Sequence, residues 1–240
     1  MTIQISEVGT SEAIGSADAE RIRKVFQERK ELGDGLFDAF RLQTHQERYE
    51  ELLRFFRDIG LCSLEKLRVL DVGCGSGGHL RRMADFGVEP ANCFGVDLFR
   101  KSLCNARRMN PNIHFLEANG AQLPFNNDVF DLVFQYTMLT SVLDEELRRK
   151  IVSEIQRVLR PGGYLIWYDF AYSNPQNLNV RGIGREEIRR LLDGFCVQLR
   201  RVTLAPPIGR PAARISLVLY RLLAAVPLLR SHYYCFAQKR

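Results

Sequence analysis

The feature that most constrains this chain is the stretch from Leu67 to Gly78, which reads LRVLDVGCGSGG. Its near-continuous apolar half is typical of a strand buried on both faces of a parallel sheet. The other half has four glycines in six residues, which let the backbone turn sharply and approach a ligand without a Cβ in the way. A helix is predicted from His79 to Phe86. Strand, turn and helix N-terminus therefore form a ligand-binding crevice.

The glycine spacing by itself fits two kinds of nucleotide-binding protein. Gly73, Gly75 and Gly78 match the G-x-G-x-x-G fingerprint of dinucleotide binders. Asp71 stands two residues before the first glycine, where a carboxylate is expected to face the ligand, repelling a diphosphate and attracting an ammonium or sulfonium group. Read as Asp71, Gly73, Gly75 and Gly77, the stretch resembles the D-x-G-x-G-x-G motif of the class I S-adenosylmethionine-dependent methyltransferases.

A second predicted strand, Cys93 to Leu98, carries an acid near its end. Asp97 lies 19 residues past Gly78, about where a doubly wound fold places the carboxylate that accepts hydrogen bonds from a ribose. Its alternative role is the N-cap of a helix predicted from Arg100 to Met109. The resemblance assigns Asp97 and Leu98 to the cofactor.

Three further segments resemble motifs of the same family in order and spacing. Residues 118–125 resemble G-D-A-x-x-L-P-F, which lies against adenine, and this implies that Asn119 and Gly120 contact the cofactor. Asn119 replaces the usual Asp, yet its side-chain oxygen can still accept a hydrogen bond. The fourth predicted strand ends in Gln135, at the edge where such sheets bind ligands. Residues 157–163 resemble the R-V-L-K-P-G-G turn.

The resemblance runs from residue 67 to 170 and implies an α/β fold, a doubly wound, mostly parallel sheet of seven strands with helices on both faces. Two helices are predicted before it, at 17–31 and 37–56. Three parts of a single domain are expected: an N-terminal helical lid at 1–60, loose over 1–16; a cofactor-binding core at 61–170; and substrate-side elements with the final strands at 171–240.

The predicted lid carries Gln46-Glu47-Arg48, which resembles a sequence in similar methyltransferases and implies that Gln46 and Arg48 contact the cofactor. S-adenosylmethionine is a pre-activated methyl donor, so the main task is to hold a nucleophile in line with it. A hydroxyl acceptor also benefits from a general base. The family's Leu-His-His is replaced here by residues 139–141, Leu-Thr-Ser. The remaining candidates for a base are His45, Tyr168 and Asp169.

Composition narrows the class of protein further. The six cysteines form no C-x-x-C pair and have no clustered histidines, so neither a disulfide framework nor a metal site is expected and a reducing cytoplasm fits. The first residues are polar and acidic, unlike a signal peptide. No nucleic-acid partner is expected, because an aromatic-rich basic motif and the Asn/Asp-Pro-Pro-Tyr motif are both missing.

Charge is distributed unevenly. Residues 181–240 carry 12 Lys plus Arg against three acids, whereas the rest of the chain has a balance of −3. Residues 212–229 are predicted to form one amphipathic, cationic helix with Arg214 and Arg221 on the same face. Two roles stay open for it: peripheral contact with an anionic membrane beside the substrate entrance, or packing on the sheet or on a second subunit of a homodimer.

The sequence thus favours an enzyme that moves a methyl group from S-adenosyl-L-methionine to an oxygen or nitrogen. The expected acceptor is a small molecule or a glycan- or lipid-linked compound, with the basic C-terminal quarter favouring an anionic one. Two alternatives remain. An NAD-dependent oxidoreductase is disfavoured by Asp71 and by the order of the motifs, and a non-catalytic relative would use the same fold to bind a partner.

Overall fold

The computed structural model of the chain describes residues 17–28 and 38–240. The predicted loose segment 1–16 and the end of the first predicted helix lie outside these residues. The helices are α1 (Ala17–Glu28), α2 (Ala39–Asp58), α3 (Gly78–Asp85), α4 (Arg100–Met109), α5 (Glu145–Val158), α6 (Arg185–Leu191), α7 (Pro206–Ile215) and α8 (Leu217–Ala224). The strands are β1 (Val69–Val72), β2 (Cys93–Asp97), β3 (His114–Glu117), β4 (Phe130–Tyr136), β5 (Leu159–Phe170), β6 (Phe195–Leu204) and β7 (Arg230–Lys239).

All seven strands form one sheet in the order β3-β2-β1-β4-β5-β7-β6. Strands β1 to β5 pair in parallel, and β7 is inserted antiparallel between β5 and β6. The predicted doubly wound, mostly parallel sheet of seven strands is therefore confirmed. The order of strands reverses between β1 and β4, and this switch point is where sheets of this type bind ligands.

Helices bury both faces of the sheet. On one face α2, α3 and α4 contribute Phe55, Leu80 and Leu103, each almost fully buried against the strands. On the other face α5 and α6 contribute Ile155 and Ile188. Because the strands are covered on both sides, β1, β2 and β4 are buried throughout, as the continuous apolar runs predict.

Helix α2 is fixed at both ends by contacts that the sequence encodes separately. It begins after Asp38, whose Oδ1 accepts hydrogen bonds from the backbone N–H groups of Phe40 at 3.0 Å and Arg41 at 3.2 Å. Near its other end, the Phe55 ring stacks on Phe236 of β7 with centroids 4.2 Å apart. These contacts hold α2 against the face of the sheet that α3 also covers.

The single helix predicted over 212–229 is wrong. The chain forms α7 and α8, which meet at Ser216, and then a 3-10 turn at Pro227–Leu229. Ser216 has an extended backbone and its Oγ accepts from Val218 N at 3.1 Å, so it caps α8 and interrupts helical continuity. In the described residues no helix is long and apolar enough to cross a membrane.

Candidate functional site

A cavity of about 600 Å³ lies at the carboxyl ends of β1, β2 and β4. This volume is typical of small-molecule sites. Ile22 of α1 and Arg41 of α2 lie in its wall, so both predicted lid helices border it. Six of the residues that the sequence assigns to the cofactor also line it: Gly73, Gly75, Asp97, Leu98, Asn119 and Gly120.

The glycines of the turn are needed for two different reasons, close packing on neighbouring side chains and space for a ligand. Gly73, Gly75 and Gly77 all have left-handed backbone angles, with φ of 80°, 52° and 76°. A Cβ on Gly73 would lie 2.8 Å from Met138 Cγ, and a Cβ on Gly77 would lie 2.6 Å from Phe115 Cζ. A Cβ on Gly75 would meet nothing within 4 Å. The backbone at Gly75 therefore borders open space that a ligand can approach closely.

Asp97 connects the glycine turn to the end of β2. Its Oδ2 accepts from Gly75 N and its Oδ1 from Phe99 N, both at 2.8 Å. It does not cap α4, which begins after Phe99 without a side-chain cap, so the alternative role as N-cap is wrong. Burial raises the pKa of this carboxyl, and its backbone hydrogen bonds oppose that change. Each oxygen keeps acceptor capacity for a ribose hydroxyl.

Asn119 and Gly120 form the wall of the cavity after β3. The Asn119 Oδ1 accepts from Ala121 N at 3.0 Å, which fixes the side chain in a tight turn. An amide oxygen can accept a second hydrogen bond, so an adenine amino group remains an acceptable partner. A Cβ on Gly120 would lie 3.3 Å from Val72 Cγ1, so its lack of a side chain lets this loop pack closely on β1.

Asp71 does not reach the cavity wall, contrary to the expectation that it faces the ligand. It is 1 % exposed, and alternation along β1 puts its side chain on the same face as Val69, the face that α3 covers. Burial and the nearby Asp97 raise the pKa of Asp71 to about 8. Within the described residues its Oδ2 has no hydrogen-bond partner. Its contact with the cofactor stays a prediction.

Four other residues assigned to the cofactor are not brought to this cavity. Gln46 is exposed and donates to Glu50 at 3.0 Å, so it lies on the solvent side of α2. Gln135 is fully buried and donates from Nε2 to Asp169 Oδ2 at 3.0 Å. Gly77 precedes α3, and Arg48 is buried beneath α2. Cofactor contacts of Gln46, Gln135 and Gly77 stay predictions, and the cofactor contact that the sequence assigns to Arg48 is tested below against a different partner.

The three candidate bases are separated from one another. Tyr168 and Asp169 are neighbours on β5 and therefore point to opposite faces of the sheet. The Tyr168 hydroxyl lies 2.9 Å from Thr203 Oγ1, and burial raises its pKa to about 12. His45 lies on α2, where burial and Arg48 lower its pKa to about 4. None of the three lines the 600 Å³ cavity.

Asp169 has the pKa nearest to neutrality and a connection to the cavity that the sequence did not reveal. Burial raises its pKa to about 6, and its Oδ1 accepts a hydrogen bond from Thr140 Oγ1. Thr140 lines the cavity. In the sequence, residues 139–141 indicate only the replacement of the family's histidines, but their position just after β4 is a signal that they border the site.

The position of the cavity, the glycine turn and a carboxylate at the end of β2 are together typical of nucleoside-binding proteins of the doubly wound α/β class. The methyltransferase-domain family model matches residues 70–167. The chain is 30 % identical over 182 residues to malonyl-[acyl-carrier protein] O-methyltransferase of Enterobacter lignolyticus, covering 70 % of each protein. It therefore belongs to the class I S-adenosylmethionine-dependent methyltransferases, and the nicotinamide alternative has no support.

Two further similarities extend the comparison. The chain is 37 % identical over 109 residues to phthiotriol/phenolphthiotriol dimycocerosates methyltransferase 1 of Mycobacterium ulcerans, covering 45 % of this chain and 39 % of that relative. It thus spans less than half the length of that protein. An S-adenosylmethionine-dependent methyltransferase structure from Methanosarcina mazei, 21 % identical, superposes with a TM-score of 0.56 over 73 % of this chain and 93 % of that one.

The residues present fit S-adenosylmethionine, the cofactor of this family. The open space beside Gly75 accepts a close ligand, and Asp97 offers carboxylate oxygens at the same wall. The apolar side chains of Leu98 and Phe99 also line the cavity and suit the face of an adenine ring. When bound, the cofactor supplies a methyl group already activated as a sulfonium.

Proposed function

We propose that this protein transfers a methyl group from S-adenosylmethionine to an oxygen or nitrogen of a lipid-linked or otherwise amphiphilic acceptor, at the surface of a membrane. The observation that carries the acceptor class is the outer surface of residues 208–228, called here the C-terminal surface. Among the described residues, seven of the twelve exposed large hydrophobic side chains belong to it: Ile208, Ile215, Leu217, Val218, Leu222, Val226 and Leu228.

The C-terminal surface is exposed because α7 and α8 need only their inner side for packing. Ala212, Ala213 and Tyr220 are buried there. The outer side leaves Leu228 83 % and Ile215 75 % exposed. Exposed apolar side chains concentrated in one segment in this way are typical of contact with a membrane or partner.

Charge supports an anionic membrane as the contacting surface. Arg210, Arg214 and Arg221 are exposed among these apolar residues, and no Asp or Glu occurs between Gly194 and Arg240. Each arginine near an anionic bilayer contributes about 1 kcal/mol of binding free energy. The apolar side chains can enter the interface while the arginines meet lipid phosphates.

The inner side of α7, the helix whose outer side forms part of the C-terminal surface, packs on α2 near the cavity. Phe40 of α2 packs directly on α7 at Gly209, where a Cβ would lie 2.3 Å from Phe40 Cε2. The next residue of α2, Arg41, lines the cavity. An acceptor held by its lipid at the C-terminal surface would therefore approach the site along α2. The name of the Mycobacterium ulcerans relative, a dimycocerosates methyltransferase, is consistent with a lipid acceptor.

For the transfer itself, we propose that positioning provides most of the catalysis and that one protein group at most removes a proton. A nucleophile held about 3 to 3.5 Å from the methyl carbon needs no covalent help from the protein. Thr140 and Asp169 are the best placed pair to take a hydroxyl proton, because Thr140 lines the cavity and Asp169 accepts from it. An amine acceptor would need no such base.

Vesicle co-sedimentation tests the membrane contact. We expect recovery with vesicles containing anionic lipid, weaker recovery at high salt, and a loss of roughly tenfold or more when Arg214 and Arg221 are both changed to Glu. The matched control is Arg189→Glu with Arg190→Glu, which changes net charge equally on exposed positions of α6.

Equal recovery with neutral and anionic vesicles, or no recovery with either, would refute the membrane contact and leave the C-terminal surface for a homodimer. Calorimetry with S-adenosylhomocysteine and NADH separates the cofactor from the acceptor question. Saturable binding of the first and none of the second is expected. Absence of S-adenosylhomocysteine binding would instead favour a non-catalytic relative.

A further inference from the structure

One face of α2 carries three basic side chains with helical spacing: Arg41, His45 and Arg48. Arg41 lines the 600 Å³ cavity and also a second cavity of about 470 Å³ between α2 and α3. His45 lines the second cavity as well. We call these three residues the α2 stripe. Arg41 lies at the cofactor cavity, His45 at the second cavity, and Arg48 is buried one turn further along α2 and lines neither of these two cavities.

Arg48 forms the buried end of the α2 stripe. It is 8 % exposed, and one of its guanidinium nitrogens lies 2.9 Å from His45 Nδ1. The guanidinium carbon lies 4.8 Å from the centre of the Tyr168 ring and 5.5 Å from that of Tyr136. Its Nε has no hydrogen-bond partner in the part of the chain that the structure describes. A buried cation in this state is costly unless an anion joins it.

None of the described carboxylates forms an ion pair with Arg48. Glu47 precedes it in sequence, but its Oε1 accepts from Thr203 N at 3.2 Å and its Oε2 from the Tyr220 hydroxyl at 3.4 Å. Within residues 17–28 and 38–240, none of the ion pairs includes Arg48. The charge of Arg48 is therefore not balanced by a described side chain.

The other groups that face Arg48 are uncharged at neutral pH. Burial lowers the pKa of His45 to about 4 and that of His232 to about 3, and the Arg48 charge adds to both effects. His79 has a lowered pKa for the same reasons. The phenols of Tyr136 and Tyr168 have raised pKa values because they are buried. Of Arg48 and these five side chains, which we call the Arg48 cluster, Arg48 is thus the charged member.

Position separates this charge from the nucleoside end of the cavity. Asp97 is on β2, whereas Tyr136 and Tyr168 are on β4 and β5, the latter three strands away in the sheet. Two β-branched residues with left-handed backbones border the cluster: Thr137, whose φ is 53°, and Thr203, whose φ is 61°. Such strain persists mainly where function requires a fixed geometry.

We propose that the α2 stripe binds a carboxylate or phosphate group of the methyl acceptor, with Arg48 as the residue that fixes it. This inference rests on the proposed methyl transfer and specifies the acceptor as an anion. The carboxylate of the cofactor has the same chemistry, and the experiment must distinguish the two sources. Saturating the protein with S-adenosylhomocysteine does so, because its own carboxylate is then already bound.

The test titrates inorganic phosphate, and separately acetate, into protein saturated with S-adenosylhomocysteine at constant ionic strength, with chloride as the reference. The melting temperature and the heat of binding are measured. We expect a saturable rise in melting temperature with phosphate or acetate, which Arg48→Gln abolishes. Arg54→Gln is the matched control, because Arg54 lies on the exposed side of the same helix. Affinity for S-adenosylhomocysteine should change less than threefold in both variants.

Three results would overturn the proposal: no saturable response to either anion in the loaded parent protein, an unchanged response in Arg48→Gln, or a tenfold loss of S-adenosylhomocysteine affinity in that variant. The last would assign Arg48 to the cofactor. If Arg48→Gln does not fold, Arg41→Gln replaces it in the titration. That variant should bind the anion with an affinity at least threefold lower than the parent. Vesicle recovery and S-adenosylhomocysteine binding in the parent report on the proposed function separately.

Discussion

The glycine turn and the region beneath α2 border the same edge of the sheet, but they are built in different ways. The turn is local: Gly73, Gly75 and Gly77 lie within five residues, and Asp97 bonds to it from the adjacent strand. The region beneath α2 joins Arg48 to Tyr136, Tyr168 and His232, which are far apart in the chain. A binding motif can be short when backbone supplies the contacts, whereas an acceptor site made of side chains depends on the whole fold.

The largest expected effect breaks the turn itself. Gly77→Ala adds a Cβ against Phe115 and forces alanine into a left-handed backbone. The strain costs about 1 to 2 kcal/mol, and the overpacking about 1 to 3 kcal/mol, so the free energy of unfolding should fall by roughly the sum. Urea unfolding followed by fluorescence of Trp167, the single, buried tryptophan, measures it.

Gly75→Ala is the matched control, because Gly75 has the same backbone handedness but open space at its Cβ. It should lose only the strain energy, about 1 to 2 kcal/mol, while S-adenosylhomocysteine affinity falls clearly. If both alanine variants lost stability equally, the contact with Phe115 would not be the reason for Gly77.

Asp97→Ala should produce the next largest effect, on binding. Removing a charged acceptor of ribose hydrogen bonds costs about 1.5 to 3 kcal/mol, so the Kd for S-adenosylhomocysteine should rise roughly tenfold to a hundredfold by calorimetry. Glu117→Ala, at the exposed end of the neighbouring strand β3, is the control and should leave the Kd unchanged. If Asp97→Ala bound S-adenosylhomocysteine as tightly as the parent, Asp97 would not contact the ribose. The glycine turn would then no longer be the nucleoside-binding region in the comparison with the region beneath α2.

A pH titration of the free energy of unfolding tests the burial of Asp71, the motif residue that lies off the cavity wall. The folded-state pKa of Asp71 is raised from 3.8 to about 8, so the folded protein keeps a proton that the unfolded chain loses across this window. The free energy of unfolding should therefore fall as pH rises. Asp71→Asn should reduce the slope between pH 6.5 and 8, above the window of Asp169 and of the histidines. Superimposable urea titrations for parent and variant would contradict this.

The smallest effect is expected at Asn119. Asn119→Asp restores the acid usual in the family without changing the size of the side chain or removing its acceptor oxygen. Because that oxygen already accepts from Ala121 N, the turn should persist and the Kd for S-adenosylhomocysteine should change less than threefold. A change above tenfold in calorimetry would mean that charge, not the hydrogen bond, decides this contact.

The bounds of the helices show where local sequence patterns predict the structure and where they fail. The apolar spacing predicted α2 at 37–56, and the structure has Ala39–Asp58. In residues 212–229 the same reasoning predicted one helix because hydrophobic spacing continues through Ser216. Ser216, which caps α8, was visible in the sequence, but the burial of Ala212 of α7 and Tyr220 of α8 in one cluster was not.

By itself the sequence determined the fold class and placed the glycine turn and Asp97 at one end of a cavity, because glycines, buried strands and an acid at the end of β2 act through neighbouring backbone. It also singled out Arg48, His45, Tyr168 and Asp169, but not their surroundings. Only the tertiary structure decided that Asp71 and Gln135 are buried off the cavity wall, that Tyr168 and Asp169 face opposite sides, and that Arg48 lies among uncharged rings. The physical reason is that burial and charge balance are set by residues distant in the chain, and no local pattern specifies them.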